Sequence, residues 1–159
     1  MNDELMTKSE STREHADSFW LDGEKSIIRE EPETTPVYDL EERTARFGEA
    51  VIDFAKTIPR DSVTDRIINQ LVGAETSVGA NYIEADDSVS KKEFLKCIGI
   101  CKKEARETKL FLRMAVRAAP ELKPEARKLW MEAKELHLIF AKIWRSGKQK
   151  EQGRMKKSE

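Results

Sequence analysis

Apolar and small residues fall on the chain in alternating steps of four and three. The clearest run is Phe94, Ile98, Cys101, Ala105, Thr108, Leu112 and Ala115, which predicts one helix with a single seam about 100° wide. Ser90 followed by Glu93 marks its start as an S-x-x-E capping box. Pro120 stops it after about Ala119. Before this helix, Leu40, Phe47, Val51, Phe54, Ala55 and Ile58 predict a first helix from about Tyr38 to Ile58, ended by Pro59. Asp61 or Ser62 can cap a second helix with the seam Ile67, Leu71, Ala74, Val78 and Ala85. Gly73, Ala74, Ser77, Gly79 and Ala80 are small for a helix interior, and close approach of another backbone is the expected reason. Pro124 fits the first turn of a fourth helix, with the seam Leu129, Ala133, Leu136, Phe140 and Ile143 and with Gly147 as its predicted end. Trp130, His137 and Trp144 form a second line at heptad spacing on its flank.

Four helices with short connections predict an all-α, antiparallel up-down-up-down four-helix bundle over residues 37–146. An arm of residues 1–36 precedes it and a short tail of residues 147–159 follows. The chain of 159 residues is sized for one such domain. Apolar groups off the main seams, Leu95, Ile100, Leu110, Trp130 and Trp144, are expected at a subunit interface.

Charge separates these segments, although the formal net charge is only −1. The arm has ten acidic against four basic residues and carries Pro32 and Pro36, so most of it is expected to lack fixed structure. The tail has five bases against two acids, and is expected to be flexible. Within the arm, Phe19, Trp20 and Leu21 form an apolar island. This island reads either as a segment lying loosely on the domain or as a docking motif for a protein partner.

On the third helix, Lys92, Lys96, Lys103, Arg106, Arg113 and Arg117 repeat the spacing of the seam on the opposite face. Glu93, Glu104 and Glu107 can neutralise part of this stripe as a solvated face. The alternative is a surface that contacts phosphates of RNA or DNA without regard to sequence. Trp130 and Trp144 could stack on bases, but their spacing also fits packing.

The sequence contains no Gly-rich phosphate loop, no paired histidine and nucleophile, and no Glu-x-x-His ligand set. The expectation is a protein that is not an enzyme and needs no cofactor. Cys97, Cys101 and His137 could in principle offer a zinc three ligands, but cysteines in an apolar seam read as small core hydrophobes, and no metal is expected. No stretch approaches the roughly 18 apolar residues of a membrane span, and the amino terminus lacks a signal-peptide pattern. A cytoplasmic location with reduced thiols and no membrane partner is expected.

The corner Thr76-Ser77-Val78-Gly79-Ala80-Asn81-Tyr82-Ile83-Glu84-Ala85, then Ser90-Lys91-Lys92-Glu93-Phe94, then Ile98-Gly99-Ile100 and Lys103-Glu104-Ala105-Arg106-Glu107-Thr108, resembles the bacterial 23S rRNA intervening-sequence proteins. These are relatives of the accessory variability determinant of diversity-generating retroelements. The opening Leu40-Glu41-Glu42-Arg43-Thr44 and the Ile58-Pro59 helix end share the likeness, which spans roughly residues 38 to 145. The resemblance implies a homo-oligomer, a pentameric ring of bundles, that binds nucleic acid. The acidic arm lies outside the family pattern, and the domain is less basic than its retroelement relatives. Asn81, Tyr82 and Glu84 belong to the family corner; they read either as structural bonds at a helix end or as a recognition site.

Overall fold

The computed structural model describes Trp20 and residues 39–157. The chain divides into two units, Met1–Val37 and Tyr38–Glu159. In the first unit only Trp20 is described, and its side chain is buried. Phe19, Leu21 and the rest of the arm lie outside the described residues, as does its expected lack of structure.

Residues 39–157 form four α-helices around one apolar core: α1 Leu40–Thr57, α2 Ser62–Asp86, α3 Lys91–Ala118 and α4 Lys123–Met155. A short 3-10 turn, Pro120–Leu122, links the last two. The most extensive packing is between α2 and α3 and between α3 and α4; α1 lies chiefly on α2 and meets α4 over a shorter stretch.

The helix boundaries follow local chemistry. The Asp39 carboxylate accepts the Glu42 N–H at 3.0 Å and starts α1. Ile58, held extended before Pro59, ends it. At α2 the Asp61 carboxylate accepts from Val63 and Thr64 N–H, while the Thr64 hydroxyl accepts the Asp61 N–H at 2.8 Å, closing a reciprocal box. Burial is outweighed at Asp61 by these backbone bonds, led by that of Thr64, which hold its pKa below the ordinary value. Of the reciprocal box expected at α3 one half forms: the Ser90 hydroxyl accepts the Glu93 N–H at 3.2 Å, while the Glu93 carboxylate makes no return bond to the Ser90 N–H. Pro124 occupies the first turn of α4.

The α1 seam is buried throughout, from Leu40 to Ile58. On α2 the buried isoleucine is Ile68, with Ile67 half-buried, and on α3 Leu95 takes the core position expected of the half-buried Phe94. Both shifts turn the seam by one residue at a position where two large apolar side chains are adjacent. Leu95 and Trp130 therefore belong to the protomer's own core, and not to a subunit interface as their off-seam positions suggest.

The largest correction is at Gly147. The fourth helix does not end there but runs on to Met155. A Cβ at Gly147 would collide with Leu95 Cδ2. The glycine makes room for a side chain of the neighbouring helix; it does not terminate its own. Close approach is expected instead at Gly73 and Gly79, and neither provides it. Gly73 is exposed, and a Cβ added there would have nothing within 4 Å, while one at Gly79 would meet Thr44 Oγ1 at an ordinary 3.7 Å.

The residues of α1 that carry the resemblance have physical roles. Leu40 is buried. Thr44 is buried and donates its hydroxyl to Leu40 O at 2.8 Å. Arg43 reaches across to α4, with Nε 2.6 Å from Glu132 Oε1, Nη2 2.9 Å from Glu132 Oε2 and Nη2 2.6 Å from Glu135 Oε2. The Glu132 bond, ahead of the others, holds the guanidinium more firmly protonated than usual. This fork is a planar, charge-assisted tie between the two helices with the shorter contact.

Two substitutions separate the roles of the glycines. Gly147→Ala is expected to lower stability by about 1–3 kcal/mol through overpacking against Leu95. Gly73→Ala, on an open helix face, is expected to raise it by about 0.5–1 kcal/mol. Urea unfolding of the two variants beside the parent checks both signs.

Candidate nucleic-acid interface

All six stripe cations, Lys92, Lys96, Lys103, Arg106, Arg113 and Arg117, are exposed on α3. Their spacing has two gaps, and Gly99 and Leu110 fill them: 92, 96, 99, 103, 106, 110, 113 and 117 alternate by four and three without a break. The stripe is therefore one continuous helical face with two uncharged positions.

Each gap has a structural consequence. At Gly99 the indole of Trp144, from α4, comes close: a Cβ on Gly99 would lie 3.2 Å from Trp144 Nε1. Lys102 Nζ sits 4.3 Å from the Trp144 ring centroid and Lys148 Nζ 5.8 Å. A half-buried aromatic ring is thus set beside a row of cations, held by cation–π contacts. At the second gap Leu110 is 51% exposed, an apolar group among charges. Neither feature is visible in the charge pattern alone, although the missing stripe positions are a signal.

Part of the stripe is neutralised at Lys103. Lys103 lies 3.8 Å from Glu107 and 4.0 Å from Glu104. Burial, followed by the Glu107 charge, raises the Glu104 pKa, and the nearby Lys103 charge opposes that shift. Trp130, the other tryptophan of the flank line, is buried. Lys109 and Lys134 lie 5.2 and 5.6 Å from its ring centroid. Its role is packing.

The corner residues are brought together on the last turns of α2, each engaged within the protomer. Asn81 Nδ2 donates to Ser77 O at 2.8 Å and to Ser77 Oγ at 3.0 Å. The Tyr82 ring lies 5.9 Å from that of Phe140, and burial, followed by the Asp86 charge, raises its pKa. Glu84 faces the Cys97 thiol at 3.9 Å. These contacts account for the corner as the junction of α2 with α3 and α4.

Cys97 and Cys101 are free and buried. Burial, then the Glu84 charge, raises the Cys97 pKa, and burial pushes Cys101 up to about 12. Cys101 donates to Val78 O at 3.5 Å. Both thiols stay protonated, which makes them poor nucleophiles and poor metal ligands. Among the described residues no group of three His, Cys, Asp or Glu side chains converges as a metal site. None of their helices is long and apolar enough to cross a membrane.

One buried group gives no sign of itself in the sequence. Glu75 is 1% exposed, and neither carboxyl oxygen has a hydrogen-bond partner among the described residues. It sits under Gly48, where a Cβ would be 2.6 Å from Oε2. Burial alone pushes its pKa up to about 8. A glutamate whose folded pKa is raised binds its proton more tightly in the native state, so its contribution is intact below about pH 4.5 and is lost as pH rises through 8. The melting temperature is expected to fall between about pH 5 and 9, by the equivalent of a few kcal/mol, and Glu75→Gln is expected to flatten that slope. Calorimetry of both proteins across this range checks the sign; a parent profile as flat as that of the variant would refute it.

The family described as 23S rRNA-intervening sequence protein matches residues 38–142. Among solved structures, a protein of unknown function from the S23 ribosomal protein family of Bacteroides thetaiotaomicron is similar, with a TM-score of 0.58 and 21% identity. The match covers 66% of this chain and 97% of that one, and shows a shared fold. Among curated proteins none matches.

Proposed function

We propose, for a chain that belongs to the 23S rRNA-intervening sequence protein family, the role of a non-enzymatic, cytoplasmic accessory factor that binds nucleic acid as a homo-oligomer. The observation that carries this reading is the face of α3, which carries six exposed cations and has the indole of Trp144 seated at its Gly99 gap. Cations in a row neutralise successive phosphates and release counterions, and a neighbouring aromatic ring accepts a base of any identity. Such a surface binds strands without reading their sequence.

The assembly would be a ring of antiparallel bundles. Contacts between consecutive helices pair residues whose numbers rise on one helix as they fall on the next: Thr44 with Gly79 and Gly48 with Glu75, then Cys97 with Glu84 and Cys101 with Val78. This supports an up-down-up-down order. On α4, Met131 and Leu138 are exposed seven residues apart, as apolar groups that a second copy would cover. Five copies would carry about thirty stripe cations.

The test combines mass and binding. Light scattering is expected to give a mass near five protomers. Fluorescence anisotropy with single-stranded RNA is expected to show affinity falling steeply with salt, by about 0.7 log units per decade of salt for each phosphate neutralised. The triple variant Lys96→Glu, Lys103→Glu, Arg106→Glu is expected to lose about tenfold or more in affinity. Unchanged binding by that variant would remove the stripe from the account.

A further inference from the structure

A second cation cluster lies where the end of α4 passes the start of α3. Lys150, Arg154 and Lys157 follow one another by four and three along α4 and its C-terminal turn. With Lys91, the first residue of α3, they line an open cleft of about 440 Å³. Gly153 completes the lining, and a Cβ there would meet nothing within 4 Å, so the cleft has no side chain filling its floor. Lys148, just outside it, is paired with Glu151 at 3.3 Å. Among the described residues none of the four cleft cations has a carboxylate within ion-pair distance.

Four cations held together repel one another, and an anion between them removes that cost. The cleft does not stop at its charges. A second one shares Lys91 and Lys150 and continues over Phe94, Leu95, Ile143 and Gly147, whose surfaces are mostly carbon. An anion site joined to an apolar floor matches a phosphate joined to a base. The stripe begins at the next residue, Lys92, and extends away along α3.

We propose that this double cleft holds the phosphate-bearing terminal nucleotide of a strand whose following phosphates run along the stripe; the inference rests on the reading of the stripe given above. Charge selects a terminus. A terminal phosphate monoester carries close to two negative charges at neutral pH, against one for a phosphodiester within the strand. Arg154 can meet two of its oxygens with one planar fork, while the lysines act as point charges. The apolar floor takes the face of the terminal base.

The experiment uses the full chain and single-stranded RNAs of about twelve nucleotides bearing a 5′-phosphate, a 3′-phosphate or hydroxyls at both ends. Anisotropy at one fixed salt concentration is expected to show one phosphorylated strand binding about tenfold or more tighter than the hydroxyl strand, and to identify which end is held. Lys150→Gln with Arg154→Gln is expected to erase that preference, with circular dichroism confirming that the helices remain. The stripe triple variant is expected to weaken all three strands and keep their ratio. Equal affinity of the parent for all three strands, or a preference surviving in the cleft variant, would overturn the terminal site while leaving the stripe standing. Failure of the parent to bind any strand would overturn the stripe reading and the terminal site together.

Discussion

The spacing between neighbouring helices is set where a side chain is missing. Gly48 leaves room for Glu75, Gly99 for the Trp144 indole and Gly147 for Leu95. In each case a large side chain on one helix lies against bare backbone on the next, so the helices approach closely at these points. The rest of the structure depends on that approach. With a methyl at Gly147, Leu95 would have to move and α4 would have to stand off from the start of α3. The cleft lined from both helices would then open.

The same constraint explains the buried carboxyl. A glutamate without a hydrogen-bond partner would ordinarily be expelled to water. Gly48 and the α2 backbone instead hold Glu75 inside, where a neutral carboxyl is far less costly than a charged one. The other buried polar side chains for which bonds are resolved turn back on their own segments: Thr44 to Leu40 O, Thr64 to Pro59 O and Thr108 to Glu104 O. Glu75 differs in that its carboxyl lies against Gly48 of the neighbouring helix.

Helix positions are legible in the sequence because their signals are local. Pro59 and Pro120 end helices wherever they stand, and Asp61 caps α2 with atoms two and three residues away. The α1 seam is legible because the 3.6-residue period from Phe47 through Val51 and Phe54 to Ile58 fixes its face, even though Ile52 stands beside Val51 on the exposed side. At Ile67-Ile68 and Phe94-Leu95 the period allows either residue, and only the partner helix decides. Gly147 misleads for a related reason: a glycine that stops a helix and a glycine that admits a neighbour look the same in one dimension. Glu75 is invisible because glutamate on a helix reads as solvated unless the facing residue is known to be a glycine from another helix. The stripe itself can be read from charge and spacing, whereas the seating of Trp144 in its gap requires the pairing of α3 with α4.

That pairing also resolves an apparent contradiction between composition and surface. A chain with a formal net charge of −1 is a poor candidate for a polyanion ligand if charge is averaged over its length. Averaging is the wrong operation when screening confines each charge to about 8–10 Å. What a strand would meet is the local field. On α3 that field comes from six exposed cations, of which Lys103 is held by the carboxylates of Glu104 and Glu107. At the bundle end it comes from Lys91, Lys150, Arg154 and Lys157, brought together because α4 does not stop at Gly147. The continuation of one helix by two turns thus gathers cations that composition alone does not locate. A glycine that is needed for packing is what allows that continuation to lie against α3.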